Sequence, residues 1–96
     1  MYADFVIQKI DPKGEYIEQR FYRDSCKPVG KFQVKDLNLI KKDDIDLNKI
    51  IIIDNLSESF QMQPLNGIKI RDWFGNDFTD RHLINLIPFL KSIVEK

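Results

Sequence analysis

The hydrophobic and polar positions near the N-terminus predict a helix followed by a strand. Over residues 2–10 the apolar side chains recur every three to four positions, which is typical of a short amphipathic helix. The run Asp-Pro-Lys-Gly at residues 11–14 has the chemistry of a turn and ends this helix. Residues 16–23 are rich in aromatic side chains with imperfect alternation, which favours a strand, and a loop around residues 27–30 follows.

The middle of the chain contains its strongest pattern. Residues 32–39 predict a short extended segment, and the polar residues 41–46 predict a solvated loop. Residues 50–53 are four consecutive isoleucines, and Asp54 follows them. A β-branched run without polar alternation is typical of a parallel strand that is covered on both faces. We therefore predict that this strand lies at the centre of an α/β sheet.

The C-terminal third predicts one more strand and a long helix. Residues 67–70 have the pattern of a short strand, and the turn-rich residues 73–77 follow it. From Thr79 or Asp80 onwards, apolar residues at 3.6-residue spacing predict a helix. Pro88 interrupts this helix, because a proline lacks the backbone N–H that an inner helical turn requires.

Length and charge limit both the size of the protein and its partners. A chain of 96 residues is long enough for one domain, residues 1–96, with one core. The 15 basic and 15 acidic residues cancel, so the overall charge attracts neither nucleic acid nor an anionic membrane. The longest apolar run is much shorter than the roughly 18 residues that a membrane span requires. The one cysteine, Cys26, predicts a small buried side chain in a reducing compartment, the nucleus or the cytoplasm.

Two oxygen-bearing side chains follow the isoleucine run. Ligands of parallel α/β sheets collect beyond the carboxyl ends of the strands, which is where Asp54 and Asn55 are predicted to lie. Their carboxylate and amide oxygens suit a hard cation such as Mg²⁺. The same pair is also common in turns that bind nothing. From the residues alone, both interpretations stay open.

Two cationic side chains have suitable chemistry for a phosphate. The ammonium of Lys35 offers a point charge, and the guanidinium of Arg23 offers a planar pair of donors. The alternative for Lys35 is a solvated side chain. The alternative for Arg23 is a surface ion pair with Asp24 or Glu18.

The histidine and three neighbouring aromatic residues give weaker signals. His82 has no histidine or cysteine companion in a metal-binding spacing, so we expect a partly exposed helix residue rather than a metal ligand or general base. Trp73, Phe74 and Phe78 lie close together in the sequence. They either close one end of the core or form a platform that binds a peptide.

Several short motifs occur in one order along nearly the whole chain. They include Tyr-Arg-Asp-Ser-Cys, Val-Lys-Asp-Leu, Ile-Ile-Ile-Asp-Asn and Trp-Phe-Gly. The matching positions are residues 2–4, 10–12, 22–26, 34–37, 51–55, 59–60, 63–64, 66–68, 73–75 and 86–90. Taken together, these motifs resemble the haloacid-dehalogenase-type phosphatases of the small CTD phosphatase and NLI-interacting-factor group.

The resemblance implies a fold, a reaction and a role for each candidate residue. The fold would be the C-terminal half of a Rossmann-like three-layer sandwich with a central, mainly parallel sheet. Lys35 and Asp54 would be the catalytic residues, Arg23 and Lys35 would bind the substrate phosphate, and Asn55 with Asp54 would bind Mg²⁺. The family's reaction is a two-step phosphoryl transfer through an aspartyl-phosphate. The substrates would be phosphoserine or phosphothreonine proteins, among them the C-terminal tail of RNA polymerase II.

The sequence also departs from the family pattern. The family's nucleophile and its general acid and base belong to an Asp-x-Asp-x-Thr motif, which these 96 residues do not contain. We therefore expect a partial domain that has no phosphatase activity by itself and binds Mg²⁺ weakly or not at all. Leu56 and Ser57 replace the Ser-Pro that usually follows the Asp-Asn pair. We also expect the open side of the isoleucine strand to recruit another chain in a dimer or strand-exchanged assembly.

A second class of function is compatible with the same resemblance. The alternative is a non-catalytic peptide- or protein-binding module, like the receptor subunit of the mitochondrial translocase that shares this fold. That branch typically lacks the Asp-Asn pair, which residues 54 and 55 retain. The resemblance therefore favours a phosphatase origin. An Asp-x-Asp-x-Thr strand upstream of residue 1 would support the enzyme, and its replacement would support the binding module.

Overall fold

The computed structural model describes residues 2–95 and begins with the predicted helix, α1 (Tyr2–Ile10). The turn after α1 is organised by Asp11, which is buried. Its carboxylate accepts hydrogen bonds from the backbone N–H groups of residues 15, 16 and 17 at 2.9, 3.1 and 2.9 Å. Gly14 has a φ of +66° and lets the chain reverse there. The predicted helix and turn are therefore confirmed.

The next segment differs from the prediction. Residues 16–22 form no strand, because the amides of residues 16 and 17 bind to Asp11 instead of to a neighbouring strand. A 3-10 helix, Arg23–Ser25, follows. Strand β1 (Lys27–Val29) then pairs antiparallel with β2 (Phe32–Val34). The prediction of a loop at residues 27–30 was therefore wrong for β1.

Only the first part of the predicted extended segment is a strand. After β2, Asp36 caps a short helix, α2 (Leu37–Ile40), and accepts a hydrogen bond from the N–H of Asn38 at 3.0 Å. This cap favours the helical turn over continued extension. Residues 41–46 form the predicted loop, and a 3-10 helix, Leu47–Lys49, follows it.

The end of the isoleucine run forms the predicted parallel strand, and this strand is more exposed than expected. Strand β3 (Ile52–Asp54) pairs in parallel with β4 (Gly67–Lys69). Ile51 is 41% exposed, and the first residues of β3 are only partly buried. Within residues 2–95 this sheet has two strands and the β1–β2 sheet has two. The fold is therefore mixed α/β, and the three-layer sandwich with a central strand is not confirmed.

The core lies where the end of β2 meets the connection between β3 and β4. Two 3-10 helices, Ser57–Phe60 and Pro64–Asn66, form that connection. The buried apolar side chains of the described residues are Val34, Leu37 and Phe60. A buried amide, Gln63, accepts a hydrogen bond from the N–H of Leu37 at 3.0 Å and so joins α2 to the connection. This small core holds β2 beside the carboxyl end of β3.

The C-terminal helix is interrupted as predicted. It consists of α3 (His82–Asn85) and α4 (Ile87–Val94), and Leu86 lies between them. Pro88 occupies the first turn of α4, where its missing N–H costs no helical hydrogen bond. Neither of these helices, nor any other helix within residues 2–95, is long and apolar enough to cross a membrane.

The aromatic residues ahead of α3 do not close the core. Trp73, Phe74 and Phe78 are 56%, 82% and 89% exposed. The core interpretation of these residues was therefore wrong for the described part of the chain, which contains no element packed over them.

Candidate functional site

The site is built around Asp54, the last residue of β3. Asp54 is buried, and its Oδ2 atom accepts a hydrogen bond from Nζ of Lys35 at 2.6 Å. Its Oδ1 atom accepts a hydrogen bond from the N–H of Leu56 at 2.9 Å. The contact with Leu56 is the turn chemistry that the sequence allowed. The contact with Lys35 is an additional, long-range interaction. One carboxylate therefore both shapes the turn after β3 and fixes a cation.

Lys35 reaches Asp54 because its backbone is held beside the same connection. Its N–H donates a hydrogen bond to the carbonyl oxygen of Ser59 at 2.7 Å, directly after β2 ends. The side chain of Lys35 is 47% exposed, whereas that of Asp54 is 5% exposed. The ammonium thus contacts a buried anion on one side and solvent on the other. The solvated-lysine interpretation was therefore incomplete.

Asn55 presents its amide at the edge of the site. Its Nδ2 atom donates a hydrogen bond to Oδ1 of Asp72 at 2.9 Å. This contact leaves the Oδ1 atom of Asn55 as an oxygen donor next to Asp54 and Asp72. No group of three or more His, Cys, Asp or Glu side chains that could hold a metal occurs within residues 2–95. The oxygen chemistry suits Mg²⁺, which commonly binds through one or two protein oxygens and several waters.

The four residues proposed from the sequence line one cleft of about 610 Å³. They are Arg23, Lys35, Asp54 and Asn55. Arg23 forms no ion pair within the part of the chain that the structure describes, so the predicted pairing with Asp24 or Glu18 was wrong. The cleft therefore combines an exposed guanidinium, a half-exposed ammonium and two oxygen-bearing side chains.

Cys26 and His82 have unremarkable surroundings. Cys26 lines the first cleft and is partly rather than fully buried. His82 begins α3, is partly exposed, and its Nε2 atom lies 3.7 Å from Oδ2 of Asp80. The expectation of a partly exposed helix residue at position 82 is confirmed.

A hydrogen-bonded cluster supports one wall of the first cleft. Asp4, on α1, accepts hydrogen bonds from the hydroxyl of Tyr22 and from the guanidinium of Arg20, the latter at 3.1 Å. The Tyr22 bond is the largest cause that holds the pKa of Asp4 below its ordinary value, and the Arg20 bond is the next. The same bond to Asp4 raises the pKa of Tyr22. Tyr22 lines the cleft next to Arg23, so α1 is tied to the wall that carries the guanidinium.

A second cleft, of about 700 Å³, adjoins the first. It shares Lys35, Asp54 and Asn55 with the first cleft. Arg71, Trp73, Phe78 and Arg81 belong to the second cleft alone. The ion pair and its neighbouring asparagine are therefore accessible from both clefts.

Several residues of the site were not identified from the sequence. Ser59 contributes a backbone carbonyl, which no side-chain pattern reveals. Asp72 lies 17 positions after Asn55, and Asp4 lies 18 positions before Tyr22. The parallel pairing of β3 with β4 offers the one usable signal, because it brings the residues just after β4 to the same edge as Asn55.

Comparison with known proteins gives a family match and several relatives. Residues 1–96 match the NLI interacting factor-like phosphatases. CTD small phosphatase-like protein 2 of Dictyostelium discoideum is 42% identical over 93 residues, which cover 97% of this chain and 16% of that protein.

Further relatives carry a different name. Mitochondrial import inner membrane translocase subunit TIM50 of Candida albicans is 36% identical over 93 residues, covering 97% of this chain and 19% of that protein. Human TIM50 is 35% identical over 88 residues, covering 92% of this chain and 24% of that protein. The chain thus spans between 16% and 24% of the length of these three relatives. Because the family match extends over the whole sequence, the chain belongs to the NLI interacting factor-like phosphatase family.

Proposed function

We propose that this chain carries the phosphate-binding part of a Mg²⁺-dependent protein serine/threonine phosphatase of the CTD-phosphatase type, on a haloacid-dehalogenase fold. The observation that supports this most directly is the contact of 2.6 Å between Lys35 and Asp54 at the carboxyl end of β3. It places a fixed positive charge in the cleft that Arg23 also lines. Fixed cations of this kind stabilise the charge of a phosphoryl group in transfer.

Each residue of the proposed site has a distinct task. Lys35 binds a phosphate oxygen through its exposed side, while Asp54 holds the ammonium in place through the contact of 2.6 Å. Arg23 offers parallel donors to two phosphate oxygens. Asn55 and Asp54 supply oxygen ligands for Mg²⁺, which when bound neutralises charge on the phosphoryl oxygens. Asp72 orients the amide of Asn55 through the bond of 2.9 Å.

The nucleophile of the proposed reaction is not among these 96 residues. The family's aspartyl-phosphate forms on the Asp-x-Asp-x-Thr motif, which the sequence does not contain. The 96-residue chain by itself is therefore inactive in this proposal. The substrates are phosphoserine and phosphothreonine proteins, the RNA polymerase II tail among them, in the nucleus or the cytoplasm.

The proposal is tested by hydrolysis of a phosphoserine peptide with and without Mg²⁺. The 96-residue chain is compared with a version extended upstream through a strand that bears Asp-x-Asp-x-Thr. We expect magnesium-dependent turnover in the extended version and none in the 96-residue chain. Turnover by the 96-residue chain, or its absence from both, contradicts the proposal.

A binding module is the second candidate, and two observations favour it. The chain is 35–36% identical to the TIM50 proteins, and Trp73 and Phe78 are exposed where a peptide backbone can contact them. If the chain is a binding module, the second cleft binds an unphosphorylated peptide, and Lys35 contributes nothing to the affinity for that peptide. Binding that is unchanged in Lys35→Ala and indifferent to serine phosphorylation would support this second function.

We also propose that the chain assembles through β3. Within the described residues β3 pairs only with β4, so its other edge offers free backbone groups, and Ile51 beside it is 41% exposed. Unpaired edges recruit other strands. A dimer or a strand-exchanged assembly of the 96-residue chain is expected in sedimentation at micromolar concentration, and a monomer there would contradict it.

A further inference from the structure

Two arginine side chains line the second cleft. Within residues 2–95 the guanidinium groups of Arg71 and Arg81 form neither a hydrogen bond nor an ion pair, although both line this cleft. Both residues are exposed. Surface arginines close to carboxylates normally pair with them. Three carboxylates also line this cleft: Asp54, which pairs with Lys35, and two acidic neighbours of Arg81 in the sequence.

Those neighbours, Asp77 and Asp80, are engaged by local hydrogen bonds. The Oδ1 atom of Asp77 accepts bonds from the hydroxyl and the N–H of Thr79 at 2.6 and 3.0 Å. The Oδ1 atom of Asp80 accepts a bond from the N–H of His82 at 2.9 Å, and its Oδ2 atom lies 3.7 Å from Nε2 of the same histidine. The carboxylates thus support the turn before α3 and the start of that helix.

The aromatic side chains of the second cleft, Trp73 and Phe78, are exposed to solvent. The indole Nε1 of Trp73 donates a hydrogen bond to the carbonyl oxygen of Asp77 at 2.6 Å, which fixes the ring at the mouth of the cleft. Trp73 is 56% exposed and Phe78 is 89% exposed. Fixed, exposed aromatic rings bind peptide segments at a low cost in side-chain entropy. The cleft therefore combines an apolar platform with two free cations.

The position of the cleft connects it to the proposed phosphate site. Lys35, Asp54 and Asn55 line both clefts. A peptide whose phosphoserine contacts Lys35 can therefore continue into the second cleft along the wall formed by Asp54 and Asn55. Its neighbouring side chains then meet Arg71 and Arg81.

We propose that the second cleft binds acidic residues, Asp or Glu, that flank the phosphoserine of a substrate peptide. This inference rests on the proposed phosphatase function and names its substrate class. Arg71 and Arg81 pair with the acidic side chains, and Trp73 and Phe78 contact the peptide between them. The charge complementarity rests on these two guanidinium groups, since the lining of the cleft has three carboxylates beside three Lys and Arg side chains and the whole chain has no net charge.

The test measures fluorescence anisotropy of four peptides with the 96-residue chain. The peptides contain serine or phosphoserine, and either acidic flanks or the corresponding Asn and Gln flanks. We expect acidic flanks to tighten binding about 3- to 10-fold, the sum of two exposed ion pairs. In the double variant Arg71→Gln/Arg81→Gln this preference is lost, so that the acidic-flank and neutral-flank phosphopeptides bind with equal affinity. Lys91→Gln, a charge change on α4 away from both clefts, keeps the preference.

The four-peptide design separates the two proposals. The effect of phosphorylation tests the phosphate site, and the effect of the flanks tests the second cleft. Equal affinities for acidic and neutral flanks in the wild type, or a preference that survives the double variant, overturns the inference. Tight binding of a single-stranded RNA oligonucleotide in place of the acidic peptides, lost in the double variant, also overturns it. Circular dichroism confirms that each variant retains the wild-type fold.

Discussion

The Nζ atom of Lys35 lies 2.6 Å from Oδ2 of Asp54, and the two residues are 19 positions apart in the sequence. Two local features bring them together. The N–H of Lys35 donates a hydrogen bond to the carbonyl oxygen of Ser59. Ser59 follows the turn in which Asp54 accepts a hydrogen bond from the N–H of Leu56. The ion pair is therefore the meeting point of β2, β3 and the connection that follows β3.

Breaking this pair from the lysine side should destabilise the fold. Lys35→Ala leaves the buried carboxylate of Asp54 with one hydrogen-bond donor instead of two. We expect the free energy of unfolding to fall by about 1–3 kcal/mol, the typical cost of an unsatisfied buried polar group. Urea denaturation of Lys35→Ala, Asp54→Asn and the double variant measures this cost. The matched control is Lys49→Ala, an exposed lysine outside both clefts.

The double variant provides the stricter check. Since Lys35 and Asp54 interact directly, the loss in the double variant should be smaller than the sum of the two single losses. Additive losses would show that the pair is not energetically coupled.

Acid should destabilise the protein through Asp11. The N–H of Ile17 is the largest cause that lowers the pKa of Asp11 below 3.8, and the N–H groups of Tyr16 and Glu15 act in the same direction. A carboxylate whose pKa is lower in the folded state stabilises the fold fully above its unfolded pKa, and this contribution is lost as the pH falls through the folded value. We therefore expect stability to decrease below about pH 4.

The variant Asp11→Asn tests whether Asp11 causes the loss of stability in acid. It is expected to be less stable than the wild type at neutral pH, with a smaller loss of stability between neutral pH and about pH 3. Asp43→Asn, in the exposed loop, should retain the wild-type pH dependence. Urea denaturation at both pH values gives the comparison, and an unchanged acid dependence in Asp11→Asn contradicts the assigned role.

Alkaline titration should reveal the bond between Tyr22 and Asp4. This bond raises the pKa of Tyr22 above 10.0, so the neutral phenol is favoured in the folded state. The stabilisation is present below about pH 10 and is lost as the pH rises through the raised value. Ultraviolet difference spectroscopy should show a late tyrosine ionisation phase that is absent from Tyr22→Phe and shifted to lower pH in Asp4→Asn. Tyr16→Phe should leave this late phase in place.

Gly67 packs so closely against Phe60 that no larger side chain should fit at position 67. A Cβ atom added at Gly67 would overlap the buried ring of Phe60. We expect Gly67→Ala to lower the free energy of unfolding by about 1–3 kcal/mol, the usual cost of overpacking. Lys69→Ala, at an exposed position of the same strand, is the matched control. The combination Gly67→Ala/Phe60→Ala should cost less than the sum of its parts, and a neutral Gly67→Ala would contradict the close packing.

The elements that the sequence predicted correctly are those that local chemistry determines. Helix α1, the turn at Asp11 and the break before Pro88 depend on spacing and on residues within one or two turns. The parallel pairing of β3 followed from its β-branched run. Residues 16–22 were mistaken for a strand because their aromatic content resembles one, whereas the side chain of Asp11 decides the conformation.

The site was predicted in part for a similar reason. Asp54 and Asn55 follow directly from the end of β3, and the resemblance to the phosphatase family pointed to Lys35 and Arg23. The contact between Lys35 and Asp54 depends on tertiary packing, which periodicity does not contain. The sequence left the exposure of Trp73 and Phe78 undecided, because an aromatic cluster has the same sequence pattern whether it is covered or not.

We propose that Lys35, held by Asp54, binds the phosphate that the complete phosphatase domain removes. It is tested most directly by the magnesium-dependent turnover of a phosphoserine peptide in the version extended through an Asp-x-Asp-x-Thr strand, with Lys35→Ala beside Lys49→Ala. The account predicts that Lys35→Ala lowers kcat/KM about 100- to 1,000-fold, as the loss of one charge-stabilising donor does elsewhere, while Lys49→Ala retains the wild-type value. Equal turnover by the wild type and by a folded Lys35→Ala variant would contradict it.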